Sequence, residues 1–388
     1  MSTAGPTHRA ALRLTFALML FGFCSISSAR VALSLYALDL GATPAKVGLV
    51  VATLYVFPLL ISWPVGRYAD RVGSRWLILA GALCGICAMS IPFFVHDVAA
   101  MYAAGTLLGF SFAIYNVLLQ NIVGLLSPPE ARARNFGNAS LIGAASAFSG
   151  PLLAGIAADH AGHAAACLYL GLLSVIVSVL VTLRGHLLPT GSRGPGGAAG
   201  GLRSALGDRD MLRILATSSL VQLGQDLYQF YIPVYGHGIG LSGSAIGGVL
   251  ANFAAAAFCV RFLMPRLIAR LGEERVLGHS FYLAAAGFLL VPFFENVAAL
   301  CALSFMFGLG MGCGQPITTM LIFSRSAEGR SGETLGLRQT VNNVLRVSGP
   351  ASFGLVATAF GLPPVFWLSG LMMAGGGLLT RAKRAAAR

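Results

Sequence analysis

The sequence predicts an all-α membrane protein, with twelve transmembrane helices arranged as two six-helix, pseudo-symmetric halves. Three observations carry this expectation. Apolar residue types make up 56% of the 388 residues and charged types only 10%. The mean hydropathy is +0.78, whereas a soluble domain needs roughly 25% charged residues to cover its surface. Twelve continuous apolar runs are present, each near the roughly 20 residues that cross a hydrocarbon core. The two halves of the chain also repeat at a fixed offset of 199 residues.

The runs are 14–36, 46–65, 76–95, 98–126, 136–158, 164–183, 214–236, 243–264, 276–294, 297–323, 335–360 and 364–380. Continuous rather than alternating hydrophobicity argues against a β-barrel. The first run exceeds the 7–15 residues of a signal-peptide core and is followed by eleven more, so it is read as a retained helix. Glycine and proline inside several runs are tolerated where neighbouring helices satisfy the freed backbone groups.

Charge sets the expected orientation. Placing the N-terminus in the cytoplasm puts 23 of the 26 Lys and Arg residues on that side and only Lys46 on the other, with Arg30 and Arg346 inside spans. This satisfies the positive-inside rule and predicts a multi-pass protein of the inner (cytoplasmic) membrane with both termini cytoplasmic. In that count Arg261 and Arg338 belong to cytoplasmic loops and flanks. The pI near 9.9 therefore reflects topology rather than nucleic-acid binding. All seven cysteines fall in spans, where none is placed for an extracellular disulfide. Cys84 and Cys87 stand at helical spacing without an accompanying His or acid, so packing explains them better than metal binding.

The repeat pairs Tyr36 with Tyr235, Gly41 with Gly240, Arg67 with Arg266, Arg71 with Arg270, Gly73 with Gly272 and Gly109 with Gly308. It also pairs Ser149-Gly150-Pro151 with Ser348-Gly349-Pro350, and Gly155 with Gly354. An even number of spans per half makes the repeats parallel, related by an axis along the membrane normal. The expected domains are 1–184, a Gly/Pro-rich cytoplasmic linker at 185–212, and 213–388.

The loop after span 2 reads Gly66-Arg67-Tyr68-Ala69-Asp70-Arg71-Val72-Gly73-Ser74-Arg75. It resembles the G-x-x-x-D-R-x-G-R-R signature of the major facilitator superfamily at Gly66, Asp70, Arg71, Gly73 and Arg75, departing at Ser74. With 6+6 spans the resemblance covers nearly the whole chain. It implies a secondary transporter that works by alternating access, with this loop as a gate. Asp70 would lie near the N-terminus of span 3, where the helix dipole favours an anion; the other reading is that the arginines only set topology.

Span 5 carries Ser146 followed by Gly150-Pro151-Leu152-Leu153-Ala154-Gly155, and span 11 carries Gly349-Pro350 with Gly354. These elements look like the G-x-x-x-G-P-x-x-G-G element of the superfamily's antiporter branch. The resemblance favours export and makes Gly150, Pro151, Gly155, Gly349 and Pro350 candidate hinges, a packing kink being the alternative. Span 4 lacks the arginine that many proton-coupled members carry there.

Charges inside spans are expensive, at about 2.5–3.5 kcal/mol on insertion scales, and are functional by default. The candidates are Arg30, Asp226 and Arg346, of which Asp226 is the sole acid within any span. The family arrangement places spans 1 and 7 across a central cavity, which implies an Arg30–Asp226 ion pair for substrate or proton to break, or else a static bridge. Arg346 either binds an anionic group or snorkels towards the cytoplasm. Gln222, Gln225, Asp226 and Gln229 share one helical face. Tyr115 and Asn116 in span 4 and Gln315 in span 10 complete the expected cavity, with interhelical hydrogen bonding as the other reading. The glycine run Gly308–Gly314 reads as two small-x-x-x-small packing pairs on one helix.

An ATP-driven pump is excluded, because the only lysines are Lys46 and Lys383 and no G-K-[S/T] exists. No catalytic cluster points to an enzyme, and no cofactor or metal site is expected. The favoured function is proton-coupled efflux of a small organic compound, such as a drug, siderophore or metabolite. The alternative is an uptake symporter or facilitator for an organic anion, and a non-transporting membrane sensor is a remote third. Expected partners are the small-molecule substrate, protons and the lipid bilayer, with no nucleic acid and a monomer as the working unit.

Overall fold

The computed structural model describes residues 6–42, 44–190, 208–241, 243–326 and 330–386. Most of the expected linker, 191–207, lies outside them. The described residues contain helices and no strand. In the first half these are α1 (Pro6–Asp39), α2 (Pro44–Val72), α3 (Arg75–Phe94), α4 (Val98–Leu125), α5 (Pro129–Ala161) and α6 (His163–Arg184). The second half contains α7 (Arg209–Gly238), α8 (Gly243–Leu271), α9 (Glu273–Leu290), α10a (Val297–Met311), α10b (Gly314–Arg325), α11 (Ser331–Phe360) and α12 (Leu362–Ala386). Nine of the described helices, counting α10a and α10b together, are long and apolar enough to cross a bilayer.

The repeat is visible in backbone conformation. Among the described residues, the six glycines with positive φ form three pairs at the 199 offset: Gly41 with Gly240, Gly73 with Gly272, and Gly162 with Gly361. Each pair marks an equivalent helix-ending turn, where only glycine adopts the left-handed region without a steric cost. Helix starts match as well. Asp97 caps α4 by accepting from the Ala99 amide at 3.2 Å, and Asn296 caps α10a by accepting from the Ala298 amide at 2.8 Å.

Packing repeats in the same register. In the first half α4 lies against α2 and α3, and α6 against α1 and α3; in the second, α10a lies against α8 and α9, and α12 against α7 and α9. Close approach depends on small residues. A side chain at Gly105 of α4 would strike Thr53 and the Val50 carbonyl of α2, while its repeat mate Ser304 donates to the Val249 carbonyl of α8.

The chain forms two compact units: 1–130 with 142–201 and 326–340, and 131–141 with 202–325 and 341–388. Their cores are apolar. That of the second unit centres on Tyr228, stacked on Phe307 with ring centroids 4.2 Å apart, and on Phe253 and Phe288.

One span is not the continuous helix that its hydropathy suggests. Span 10 is interrupted at Gly312-Cys313, between α10a and α10b. Its four glycines pack, but not as two matching pairs. Gly308 and Gly312 lie against α8, Gly310 against α9, and Gly314 against Val221 of α7.

Candidate functional site

In the second unit the polar face of α7 forms a connected network. Asp226 is partly buried and ion-paired with Arg346 of α11, Nε to Oδ2 at 3.2 Å. The side-chain amide of Gln222, one turn earlier, donates to both carboxylate oxygens at 3.0 and 2.9 Å. Its own Oε1 accepts from the Gln315 amide of α10b at 2.7 Å. The Gln225 amide donates to the Met311 carbonyl at the end of α10a at 2.8 Å. Three helices thus meet in one network around a carboxylate that has the Arg346 guanidinium on one side and the Gln222 amide on the other. Such a carboxylate can exchange its ion pair for a proton, and the guanidinium can then turn to another anion.

Several expected site residues lie elsewhere. Within the second unit Asp226 pairs with Arg346; Arg30, in the first unit, is exposed, and its Nη1 donates to the Tyr55 hydroxyl at 3.3 Å. Tyr115 is only 1% exposed, with its ring against Gly22 of α1 and Gly81 of α3, so it belongs to the first unit's core rather than to a cavity wall. Asn116 is half-buried and bridges along α4, its Oδ1 accepting from Gln120 at 3.2 Å. Gln229 is exposed at the next turn of the α7 face.

The signature loop also differs in detail from expectation. Asp70 lies at the end of α2 and caps α11, not span 3: its carboxylate accepts from the Gly332 amide at 3.0 Å and the Glu333 amide at 2.8 Å. These are free donors at the positive end of a helix dipole. Asn121 of α4 completes the cap, donating to Asp70 at 3.4 Å and accepting from the Ser331 hydroxyl at 2.6 Å. Burial pushes the Asp70 carboxyl up from 3.8 to about 6, against the lowering effect of these donors. Gly66 permits the approach, since a Cβ there would overlap the Gly332 carbonyl. Gly73 makes the turn at φ +94°. Arg71 is exposed. Arg75 turns away from Asp70 and donates to the Thr182 carbonyl at the end of α6 at 3.2 Å.

Among the candidate hinges, Gly150 and Gly349 are sites of contact. A Cβ at Gly150 would come within 2.6 Å of the Ser27 Cβ of α1, and one at Gly349 within 2.2 Å of Leu223 of α7. Gly155 faces open space within 4 Å. Pro151 sits inside the uninterrupted α5; Pro350 lies within α11, its side chain outside the described residues.

Arg261 was missed at the sequence level. Counted with a loop flank, it projects instead from within α8, and its Nε donates to the Gly312 carbonyl at 2.8 Å. Pro316, four residues after Gly312, was the available signal, because it lacks the amide that would otherwise bond that carbonyl.

Comparisons with known proteins agree with this architecture. The family model for the Major Facilitator Superfamily matches residues 15–277 and 239–387. The multidrug resistance protein MdtG of Serratia proteamaculans is 23% identical over 359 residues, 88% of this chain and 85% of that protein. MdtG of Salmonella typhimurium is 22% identical over 349 residues, 86% and 85% of the two chains. Among solved structures, the human organic anion transporter MFSD10 (TETRAN) superposes with a TM-score of 0.78 at 15% identity, covering 97% of this chain and 100% of that one. The E. coli fucose:proton symporter FucP also gives a TM-score of 0.78, at 14% identity and 97% and 98% coverage. The chain belongs to the major facilitator superfamily: it is an integral membrane transporter, not an enzyme.

Proposed function

We propose that the protein is a secondary exporter that exchanges a small organic compound for protons by alternating access, in the inner membrane with both termini cytoplasmic. The observation that carries this reading is the Asp226–Arg346 pair inside the polar face of α7. A proton on Asp226 removes the charge that holds Arg346, and substrate competes for the same groups. A ligand drives a conformational change only through different affinities for the two states, and this pair supplies one. The direction of transport rests on the antiporter-like elements at Gly150-Pro151 and Gly349-Pro350 and on similarity to proteins named for multidrug resistance.

A second reading, uptake of an organic anion, is supported by Arg30, exposed and bonded to the Tyr55 hydroxyl, and by the fold shared with an organic anion transporter. Everted vesicles with an acidic interior separate the two. Ethidium and fluorescein serve as cationic and anionic probes. Gradient-dependent accumulation of either inside the vesicles supports export. Accumulation of neither, with fluorescein driven outwards instead, supports anion uptake and overturns the exporter reading.

A further inference from the structure

We propose that Arg261 is a positioning residue. Its hydrogen bond stands in for the amide that Pro316 lacks and so holds the joint of span 10, and the joint holds Gln315 against the Asp226 network. The relevance to transport rests on the reading of Asp226 given above; the joint itself does not.

A break at Gly312-Cys313 leaves carbonyls without their usual amide partners, and inside a membrane each must find another donor. The last carbonyl of α10a, Met311, accepts from Gln225 at 2.8 Å. The next one, Gly312, accepts from Arg261 Nε at 2.8 Å. The first turn of α10b is fixed from the same side, because Gln315 donates to Gln222 at 2.7 Å and Gln222 donates to Asp226. The two ends of the break are therefore held by α7, through Gln225 and Gln222, while α8 holds its middle through Arg261. Residue 316 is proline, so the amide that would ordinarily bond the Gly312 carbonyl does not exist, and Arg261 supplies the missing donor. Without Arg261 that carbonyl would have to find another donor by rearrangement of the joint, which would shift Gln315 away from Gln222.

Packing supports the same assignment. Gly312 lies on α8 about one turn before Arg261, so close that a Cβ would come within 2.6 Å of both the Ala257 Cα and a Val260 methyl. The glycine brings the carbonyl within reach, and the arginine then occupies it. The described ion pairs do not include Arg261. What it contributes is thus a donor at a fixed position rather than a charge for a carboxylate.

That distinction sets the test. Glutamine places its amide nitrogen at the same position along the side chain as arginine Nε, without the charge. Methionine keeps the length and removes the donor. Lysine keeps the charge. Cys313, buried at 0% exposure in the break itself, is a built-in reporter. In a chain whose other cysteines are replaced by alanine, the rate of Cys313 alkylation by N-ethylmaleimide reports opening of the joint without substrate or gradient. Arg261→Met should speed alkylation by about tenfold or more, and Arg261→Gln should stay within about twofold of the parent. An unchanged rate in Arg261→Met, or a fast Arg261→Gln with a parental Arg261→Lys, would overturn the proposal. If Arg261→Met is not monodisperse in detergent, Gln225→Leu removes the other donor. Its rate should rise by about threefold, and no change would equally overturn the joint. Because the readout needs no flux, a failed exporter reading leaves this result intact, and a failed joint leaves the vesicle result intact.

Discussion

At the scale of single residues, two carboxylates stand out by their partners: Asp70 against the first turn of α11 and Asp226 against Arg346. Asp70 lies at the end of a span. Its carboxyl rises from 3.8 to about 6 while buried against α11. The capped arrangement therefore binds a proton more tightly than one in which Asp70 meets water. By linkage, acidification from about pH 6 towards 4 favours the capped arrangement, and this preference is lost as pH rises through 6. Hydrogen exchange of the first turn of α11, corrected for intrinsic rates, should show protection rising from pH 7 to 5. Asp70→Asn should remove that pH dependence. Asp226 is the other carboxylate. In the sequence it stood out as the one acid within any span, and its polar neighbours at helical spacing were equally legible. Its cation was not. Spacing places Arg30 and Arg346 alike inside spans, and only folded geometry shows which guanidinium arrives at 3.2 Å. Arg261 was lost for a related reason: composition counts a charge by its distance from a span end and does not register the carbonyl that will receive it. Arg346→Gln leaves Asp226 without its cation in a partly buried site. The cost to stability should fall between the ~1 kcal/mol of an exposed pair and the ~3 kcal/mol of a buried one, measurable as a lowered midpoint of thermal unfolding in detergent.

At the scale of helices, the 199-residue offset was the most informative feature of the sequence, and it reappears in turns, caps and packing partners alike. Runs of apolar residues marked twelve spans, but hydropathy is blind to a two-residue interruption, so the break in span 10 emerged only with its hydrogen bonds. The glycine-proline elements divide under the same scrutiny. Gly150 and Gly349 are points where α5 and α11 press on α1 and α7, whereas Gly155 borders open space. Gly150→Ala and Gly349→Ala should each destabilise the protein by about 1–3 kcal/mol through overpacking, while Gly155→Ala should be neutral or slightly stabilising. Thermal midpoints of the three variants, compared in one detergent, check this ordering. Equal effects at Gly150 and Gly155 would mean that the contact at Ser27 does not constrain α5.

At the scale of the whole molecule, membership of the superfamily accounts for the low charge content and the long apolar helices. The two halves share one packing pattern, and in the second a hydrogen-bonded network joins α7, α10b and α11. Superfamily membership alone fixes neither substrate nor direction, because cargo is set by the side chains of the site rather than by the fold. The central claim is that protonation of Asp226 exchanges with its pairing to Arg346 and thereby couples flux to the proton gradient. The most direct measurement compares the parent with Asp226→Asn in everted vesicles, following ethidium with and without an imposed acidic interior. The account predicts that Asp226→Asn loses gradient-driven accumulation by at least about tenfold while still equilibrating the dye when no gradient is applied. Undiminished gradient-driven accumulation in Asp226→Asn would contradict it.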